Sequence, residues 1–138
     1  MIAVSAATQT PDGVYWFASG PYGYQGANGC NAGDRDLGVA SYDRKTFQFT
    51  YYSPMADLGM AETNVRDMVA LPDGRIVFAG PRSGLVFWDP KTKARKVVRA
   101  GSALPDGAVQ RLELDTMVNP PTLHVSTNSG GTSIRIVP

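Results

Sequence analysis

The sequence predicts an all-β chain of three successive four-stranded antiparallel blades of a β-propeller, the third blade lacking its outer strand. Three observations support this fold class: a pattern that returns every 46 or 47 residues, short strands between tight turns in each copy, and no sustained helical periodicity. Four strands in a repeat of this length are typical of one propeller blade, and complete propellers have about four to eight blades. Three blades alone therefore form an incomplete ring.

The repeat is visible in two motifs. Residues 11–18 (PDGVYWFA) match residues 72–79 (PDGRIVFA) at an offset of 61 positions (72 − 11). Residues 37–43 (LGVASYD) match residues 83–89 (SGLVFWD) at an offset of 46 (84 − 38), and the segment from Gly131 matches the one from Gly84 at an offset of 47 (131 − 84). The offset of 61 exceeds the repeat period of 46 or 47 by about 15 residues. The first copy therefore carries about 15 additional residues, which lie between Ser19 and Asp36.

Each copy alternates strand-forming residues with turn residues, and we take the strands in order. In the first copy they are predicted at Val4–Thr10, Val14–Ala18, Val39–Tyr42 and Gln48–Ser53. In the second they are predicted at Val65–Ala70, Arg75–Ala79, Leu85–Trp88 and Ala94–Arg99. The third has only Ala108–Leu114, Thr122–Ser126 and Thr132–Ile136. The blades are accordingly assigned to residues 1–55, 56–100 and 101–138.

The apolar residues predict sheets that are covered on both faces. Ile76, Val77, Phe78 and Ala79 are consecutive rather than alternating, as expected for a strand between two neighbouring blades. On the same argument we place five aromatic residues in the core rather than at a ligand: Trp16, Phe17, Phe78, Phe87 and Trp88. Each open flank of a three-blade arc is then expected to be a whole apolar sheet face, which would drive association.

Composition narrows the classes of function. The chain is 43% hydrophobic and 18% charged with a net charge of +1, which is ordinary for a globular protein and suggests neither nucleic-acid binding nor an anionic membrane surface. No run of residues approaches the length of a membrane span, and Met1–Thr10 lacks the features of a signal peptide. One cysteine and one histidine are too few for a Cys/His zinc cluster within this chain.

The inserted loop at 19–36 is the main candidate for a binding site, because long loops in compact folds are commonly functional. Tyr22 and Tyr24 are candidates for stacking on a sugar or peptide ligand, and Arg35 joins them as a candidate ligand-binding residue. Asn31, Asp34 and Asp36 offer oxygen atoms to calcium, although their spacing does not match an EF-hand loop, so no cofactor is predicted. The alternative is a packed surface loop whose acidic residues are merely solvated.

The up-and-down order of the strands predicts which loops meet. The loops between second and third strands open on the same face as the links between blades, and the Pro-Asp-Gly turns after the first strands lie on the opposite face. The segments expected to share the first face are Ser19–Asp36, Ala56–Glu62, Gly80–Ser83, Ala100–Gly107 and Thr127–Gly130. We expect Cys30 to be an unreactive, partly buried thiol and His124 to be a hydrogen-bonded structural residue, because no catalytic motif surrounds either of them.

Several segments resemble a known family of repeats. Residues 104–112 (LPDGAVQRL), 72–80 (PDGRIVFAG) and 84–90 (GLVFWDP) resemble the blades of bacterial two-component-regulator-type propellers. Streptogramin-lyase-like propellers are the second resemblance, through the Pro-Asp-Gly and Trp-Phe pattern of residues 11–17. The first resemblance implies a sensor or binding module in an extracytoplasmic part of a larger protein.

Three functions follow as hypotheses. The leading one is a ligand-binding or sensor segment without catalysis, whose partners are a small molecule, sugar or peptide and further blades from an identical chain or a longer parent. The second is a lyase- or hydrolase-type enzyme, which would place His124 or an acid at the channel mouth with a strongly shifted pKa. The third is an assembly scaffold that works through the open flanks of the blades. Fold alone does not decide among them.

Overall fold

The computed structural model describes residues 3–20, 38–62, 64–99 and 104–137, and within them the regular structure consists of strands. The first sheet has the order β1-β2-β3-β4, the second β5-β6-β7-β8 and the third β11-β10-β9, and all neighbours are antiparallel. The strands are β1 (Ala3–Gln9), β2 (Tyr15–Gly20), β3 (Val39–Asp43), β4 (Gln48–Tyr52), β5 (Asp67–Ala70), β6 (Ile76–Gly80), β7 (Gly84–Trp88), β8 (Arg95–Val98), β9 (Val109–Asp115), β10 (Thr122–Thr127) and β11 (Gly131–Arg135). The predicted fold class is confirmed, with sheets of four, four and three strands forming blades 1, 2 and 3. The assigned boundaries at residues 55 and 100 stay predictions.

The Pro-Asp-Gly motifs form the predicted turns between the first two strands of blades 1 and 2. Gly13 has a φ of 91° and Gly74 a φ of 94°, a conformation that glycine adopts without steric cost. Asp73 Oδ1 accepts a hydrogen bond from the backbone N–H of Arg75 at 3.0 Å, and the N–H of Gly74 donates to the carbonyl of Leu71 at 3.0 Å. The turns fix the register between the first two strands of each blade.

Two cores lie between the blades. The first joins blades 1 and 2 and is built around Trp16, Val39, Phe78 and Trp88, which are at most 4% exposed. The second joins blades 2 and 3 and is built from residues that include Val77, Leu85, Leu123 and Val125. The inner strands β1, β5 and β9 are neighbours in this order, which places them side by side along the inner edge of the arc of blades.

Blade 2 shows why consecutive apolar residues were informative. Every residue of β6 and of β7 is buried, and alternate side chains belong to the first and the second core. Of the five aromatic residues predicted in the core, Trp16, Phe78, Phe87 and Trp88 are buried. Phe17 is only half-buried, because it alternates with Trp16 and faces away from blade 2.

The outer sheet face of blade 1, which we name the first flank, is aromatic. Phe49 is 57% exposed and Tyr51 is 77% exposed, and their rings stack with centroids 6.4 Å apart. The ring of Tyr42 lies 4.7 Å from that of Phe49. Strand alternation and register place the side chains of Ala7, Tyr15, Phe17, Ala40, Tyr42, Phe49 and Tyr51 on this face. The expectation of an apolar open face is met here.

The outer face of blade 3, the third flank, is different, and the expectation of a second apolar flank is wrong. Leu112, Leu123, Val125 and Ile136 point into the second core. Alternation therefore turns their neighbours outward, and these are Arg111, Glu113, Asp115, Thr122, His124, Ser126, Ser133 and Arg135. If two copies closed head to tail into a six-bladed ring, the third flank of each copy would pack on the aromatic first flank of the other. Burying the charged side chains there costs free energy, because the aromatic face offers them no partners of opposite charge.

Candidate ligand-binding face

The loop face is the end of the blades where β5 and β9 begin and where the turns between second and third strands lie. At this end Ser83 Oγ accepts a hydrogen bond from the N–H of Ala61 at 2.8 Å, and Glu62 accepts one from the N–H of Arg82 at 3.0 Å. The N–H of Gly84 donates to the carbonyl of Gly107 at 3.2 Å, and that of Asn128 donates to the carbonyl of Ala108 at 3.2 Å. For the described residues these contacts confirm the predicted meeting of the links between blades, represented by 56–62 and 104–107, with the turns at 80–83 and 127–130.

Glu62 is a buried acidic residue of the loop face that binds the neighbouring turn through hydrogen bonds. Its side chain is 8% exposed, and its carboxylate accepts hydrogen bonds from the hydroxyl of Ser83 and from the backbone of Arg82. The guanidinium of Arg82 lies 3.6 Å away and is largely exposed to solvent. Glu62 therefore fixes the turn at 80–83 against the link that precedes β5, and it leaves the guanidinium of Arg82 open to solvent.

A chain of three polar side chains crosses the starts of the inner strands. Arg66 Nη1 donates to Gln110 Oε1 at 3.1 Å, and Gln110 Nε2 donates to Asn128 Oδ1 at 2.6 Å. Arg66 and Asn128 are exposed, and Gln110 is half-buried. A guanidinium and two primary amides side by side present several hydrogen-bond donors and acceptors, a combination suited to polar or anionic ligand groups.

Asp106 completes this face between blades 2 and 3. Its carboxylate accepts hydrogen bonds from the hydroxyl and the N–H of Ser129 and from the N–H of Ala108, which lies 2.8 Å away. The hydrogen bond from the Ser129 hydroxyl, followed by that from the Ala108 amide, lowers the pKa of Asp106 from 3.8 to about 2. The ionised carboxylate holds the turn at 127–130, and with it Asn128.

We expect this turn to loosen in acid. Because the pKa of Asp106 is lowered in the folded state, its contribution is present above pH 3.8 and is lost as the pH falls through about 2. A titration followed by the backbone amide resonance of Ser129 should show a midpoint near pH 2. In Asp106→Asn this step should be absent, whereas a midpoint near pH 4 in the unsubstituted chain would show that these hydrogen bonds do not stabilise the carboxylate.

The base of the insertion also lies on the loop face. Ser19 pairs with Val4 at the beginning of β1, and Ser5 Oγ donates to the carbonyl of Val65 at 2.7 Å, next to Arg66. Most of the insertion itself, including the candidate residues Tyr22, Tyr24, Asn31, Asp34, Arg35 and Asp36, lies outside the described residues, as does Cys30. Their roles stay predictions.

His124 lies on β10, away from the channel mouth. Its Nδ1 is 2.8 Å from Ser133 Oγ and its side chain is exposed on the third flank, so it is hydrogen-bonded as predicted. The acid on β5, Asp67, accepts hydrogen bonds from the backbone amides of Met68 at 2.9 Å and Leu112 at 2.8 Å. Asp67 thus joins the inner strands of blades 2 and 3. Among the described residues, His124 does not take the channel-mouth position that the enzyme hypothesis expects of it, and both carboxylate oxygens of Asp67 accept hydrogen bonds from backbone amides.

Sequence reasoning missed Arg66, Gln110 and Asn128. A signal was present, because Val65-Arg66 and Val109-Gln110 are equivalent positions in two copies and each puts a polar residue after a buried valine.

Among the described residues no three His, Cys, Asp or Glu side chains are grouped as metal ligands would be. In the same part of the chain, no helix has the length and apolarity needed to cross a membrane.

The cavity formed where the inner strands end lies on the opposite side, which we name the turn face. It is lined by residues that include Gln9, Thr10, Arg44, Leu71 and Thr116, and its volume is about 510 Å³. The turn face is therefore the competing location for a ligand.

No protein-family model and no curated protein matches this chain. In structure it is similar to the extracellular domain of the hybrid two-component system BT4673 from B. thetaiotaomicron, with a TM-score of 0.59 and 14% identity over 96% of this chain and 16% of that one. The corresponding domain of BT3049 from the same organism is similar with a TM-score of 0.59 and 14% identity, over 96% of this chain and 18% of that one. The structure of YCF48 bound to D1 peptide is similar with a TM-score of 0.61 and 14% identity, over 96% of this chain and 37% of that one. The chain spans well under half of each of these proteins, and the likeness shows its fold, that of three consecutive β-propeller blades.

Proposed function

We propose that this chain is part of a ligand-binding sensor propeller that performs no catalysis and binds its ligand on the loop face. The observation that carries the proposal is the hydrogen-bonded chain of side chains Arg66, Gln110 and Asn128, which joins blades 2 and 3 and is exposed at both ends. Such a cluster would respond to a ligand through contacts with both blades at once. The likeness to extracellular domains of two-component systems supports a sensor role.

The ligand class follows from the chemistry of this cluster. One cationic and two amide side chains favour a small molecule rich in hydroxyl, carboxylate or amide groups, which includes sugars and short peptides. YCF48, a structural neighbour, is bound to a D1 peptide, which keeps peptides among the candidates. The insertion at 19–36 would supply the aromatic part of the site through Tyr22 and Tyr24.

We expect Arg66→Ala to abolish most ligand binding while leaving the fold intact, because Arg66 is exposed and its loss costs little stability. Ligands are sought by thermal unfolding against a panel of oligosaccharides, amino acids and short peptides, since a ligand at 100 times its Kd stabilises by about 2.7 kcal/mol. Replacing residues 21–36 by a short Gly-Ser linker should have the same effect as Arg66→Ala.

The control is Arg111→Ala, which removes another exposed arginine, this one from the third flank. It should leave the stabilisation by any ligand of the panel unchanged. Equal loss in both variants would show a general charge effect, and an unchanged ligand response in Arg66→Ala would contradict the assigned face.

We also propose that another sheet covers the first flank in the functional assembly, from an identical chain or from a longer parent protein. Exposed aromatic faces of this kind mark protein contact sites. We expect the chain to associate with rising concentration in light scattering, and Phe49→Lys combined with Tyr51→Lys to make it monomeric. The pair Ser126→Lys and Ser133→Lys on the third flank should not change the mass. A chain that stays monomeric at all concentrations would rule out an identical chain as the source of the covering sheet, and association that the first-flank variant leaves unchanged would contradict a contact at this face.

A further inference from the structure

The cavity on the turn face is bordered by all three blades. Gln9 lines it at the end of β1, Leu71 after the end of β5 and Leu114 within β9. The turn between β3 and β4 contributes Arg44. The volume of about 510 Å³ falls within the range of roughly 300–1,000 Å³ that is usual for small-molecule sites. The turn face therefore has room for a ligand of its own.

Two polar residues of this cavity depart from the repeat. Arg44 takes the place that Pro90 has in blade 2, at the offset of 46 residues between these blades (90 − 44). Thr116 takes the place of Pro72, at the offset of 44 residues that relates the inner strands of blades 2 and 3 (116 − 72). Proline offers neither a charge nor a hydroxyl. The guanidinium and the hydroxyl that line the cavity are therefore additions to the repeat, which a blade does not need in order to form its turns.

Arg44 gives the cavity its charge. It is exposed, and among the described lining residues it is the one with an ionisable side chain. Within the described part of the chain no carboxylate forms an ion pair with it. The adjacent acid, Asp43, instead accepts a hydrogen bond from the backbone N–H of Lys45 at 2.9 Å. A guanidinium without a carboxylate partner is a suitable binding group for an anion.

The other polar side chains of the cavity are neutral. Gln9 Nε2 donates to the carbonyl of Gly13 at 3.2 Å, which leaves its second N–H for another acceptor. The hydroxyl of Thr116 has no hydrogen-bond partner among the described residues, whereas that of Thr10 is buried and bonded to Asp12 at 2.6 Å. Gln9 and Thr116 thus add donors without adding charge. The cavity balances one negative charge, which suits a carboxylate better than a doubly charged phosphate.

The rest of the lining is apolar. Leu114 and Ala70 are half-buried in the wall, and the rings of Pro11 and Pro72 are exposed at its edge. Met117, which follows Thr116 in the turn between β9 and β10, is 93% exposed and adds apolar surface beside the cavity. One cationic group surrounded by apolar surface is a combination that favours an anion with an apolar body.

We propose that the turn-face cavity binds a small organic anion that consists of one carboxylate and an apolar, preferably aromatic, body. The carboxylate would pair with Arg44 and accept hydrogen bonds from Gln9 and Thr116. An ammonium group next to the carboxylate is unfavourable, because no acidic residue is among the described residues that line the cavity. Zwitterionic amino acids are therefore poor ligands here. The site is separate from the loop face and takes another class of ligand, so it does not depend on the function proposed there.

The test is a nitrogen-15 NMR titration of the labelled chain with phenylacetate. We expect a saturable shift of the side-chain amide signals of Gln9, with the signals of Gln110 and Asn128 on the loop face unchanged. Phenylacetamide has the same shape without the charge, and phenylglycine adds an ammonium group. Both should bind at least about tenfold more weakly than phenylacetate, because they lack the net negative charge that Arg44 attracts.

Substitutions assign the binding to the named groups. Arg44→Gln should weaken phenylacetate binding at least about tenfold, whereas Lys45→Gln, at an exposed basic neighbour that is not part of the lining, should leave it unchanged. Thr116→Val should weaken it about fivefold, the effect of one neutral hydrogen bond. Equal binding of phenylacetate and phenylacetamide, equal effects of Arg44→Gln and Lys45→Gln, or no saturable shift of Gln9 would each overturn the proposal.

Discussion

Trp88→Ala is expected to destabilise the chain by about 3–5 kcal/mol, the range for loss of a large buried aromatic side chain. Trp88 is 1% exposed, and its ring centroid lies 5.7 Å from that of Trp16, 5.2 Å from that of Tyr52 and 6.1 Å from that of Phe78. The residue thus fills the middle of the core between blades 1 and 2. A loss of this size is a large part of the total stability of a domain, and denaturant unfolding should show it directly.

Trp88→Phe distinguishes packing from polarity at this position. Among the described residues the Nε1 of Trp88 is buried without a hydrogen-bond acceptor. Phenylalanine loses part of the ring but also removes this unsatisfied donor, whose burial costs about 1–3 kcal/mol. We therefore expect Trp88→Phe to be much milder than Trp88→Ala. The matched surface control is Phe47→Ala, at a residue that is 78% exposed, and an equal effect there would contradict a central core at Trp88.

Glu62→Ala is expected to cost about 2–4 kcal/mol, because it leaves the hydroxyl of Ser83 and the amide of Arg82 without their acceptor in a buried place. The loop face should also lose order, since Glu62 joins the link before β5 to the turn at 80–83. Chemical denaturation measures the first effect, and hydrogen exchange at the amides of Arg82 and Ser83 measures the second.

Two further variants define the role of the carboxylate. Glu62→Gln keeps an acceptor and should recover part of the lost stability, while Ser83→Ala should couple to Glu62→Ala in a double-mutant cycle. Glu113→Ala on the third flank removes an exposed carboxylate and should change stability by less than about 0.5 kcal/mol. Additive effects of Glu62→Ala and Ser83→Ala would mean that the two side chains do not act as one unit.

Much of the fold could be predicted from the sequence because each blade repeats the same local signals. The Pro-Asp-Gly turns have glycines at positive φ, and the run from Ile76 to Ala79 is buried on both faces. The three-stranded third sheet was also predicted. These features depend on neighbours in the sequence or within one repeat, which is where turn chemistry and apolar patterning are informative.

The polarity of the third flank was missed although the sequence carries it. Leu123 and Val125 alternate with His124 and Ser126, the pattern of a strand with one covered face, whereas β6 is apolar throughout. The expectation of two apolar flanks treated all blades as equivalent. The structure shows that blade 3 turns a charged surface outward, so closing a ring of two copies through this face is unfavourable.

The candidate binding face could be predicted in outline but not in its residues. The order of the strands places the loops on one end, whereas the contact of Arg66 with Gln110 joins residues 44 positions apart and depends on how two blades are set against each other. Sequence reasoning concentrated on the insertion at 19–36 because it departs from the repeat. For Arg66 and Gln110 the sequence offers only the weaker signal of a polar residue after a buried valine in two copies of the repeat.

The most direct test of the proposed binding face is a nitrogen-15 NMR titration of the labelled chain with the panel of oligosaccharides, amino acids and short peptides. The side-chain amides of Gln110 and Asn128 and the Nε of Arg66 are resolved reporters of the loop face, and the side-chain amide of Gln9 reports the cavity on the turn face. We predict that a member of the panel shifts the first three signals in a saturable way and leaves Gln9 unchanged. Shifts at Gln9 with none at Gln110 and Asn128, or no response to any member of the panel, would contradict a ligand-binding loop face.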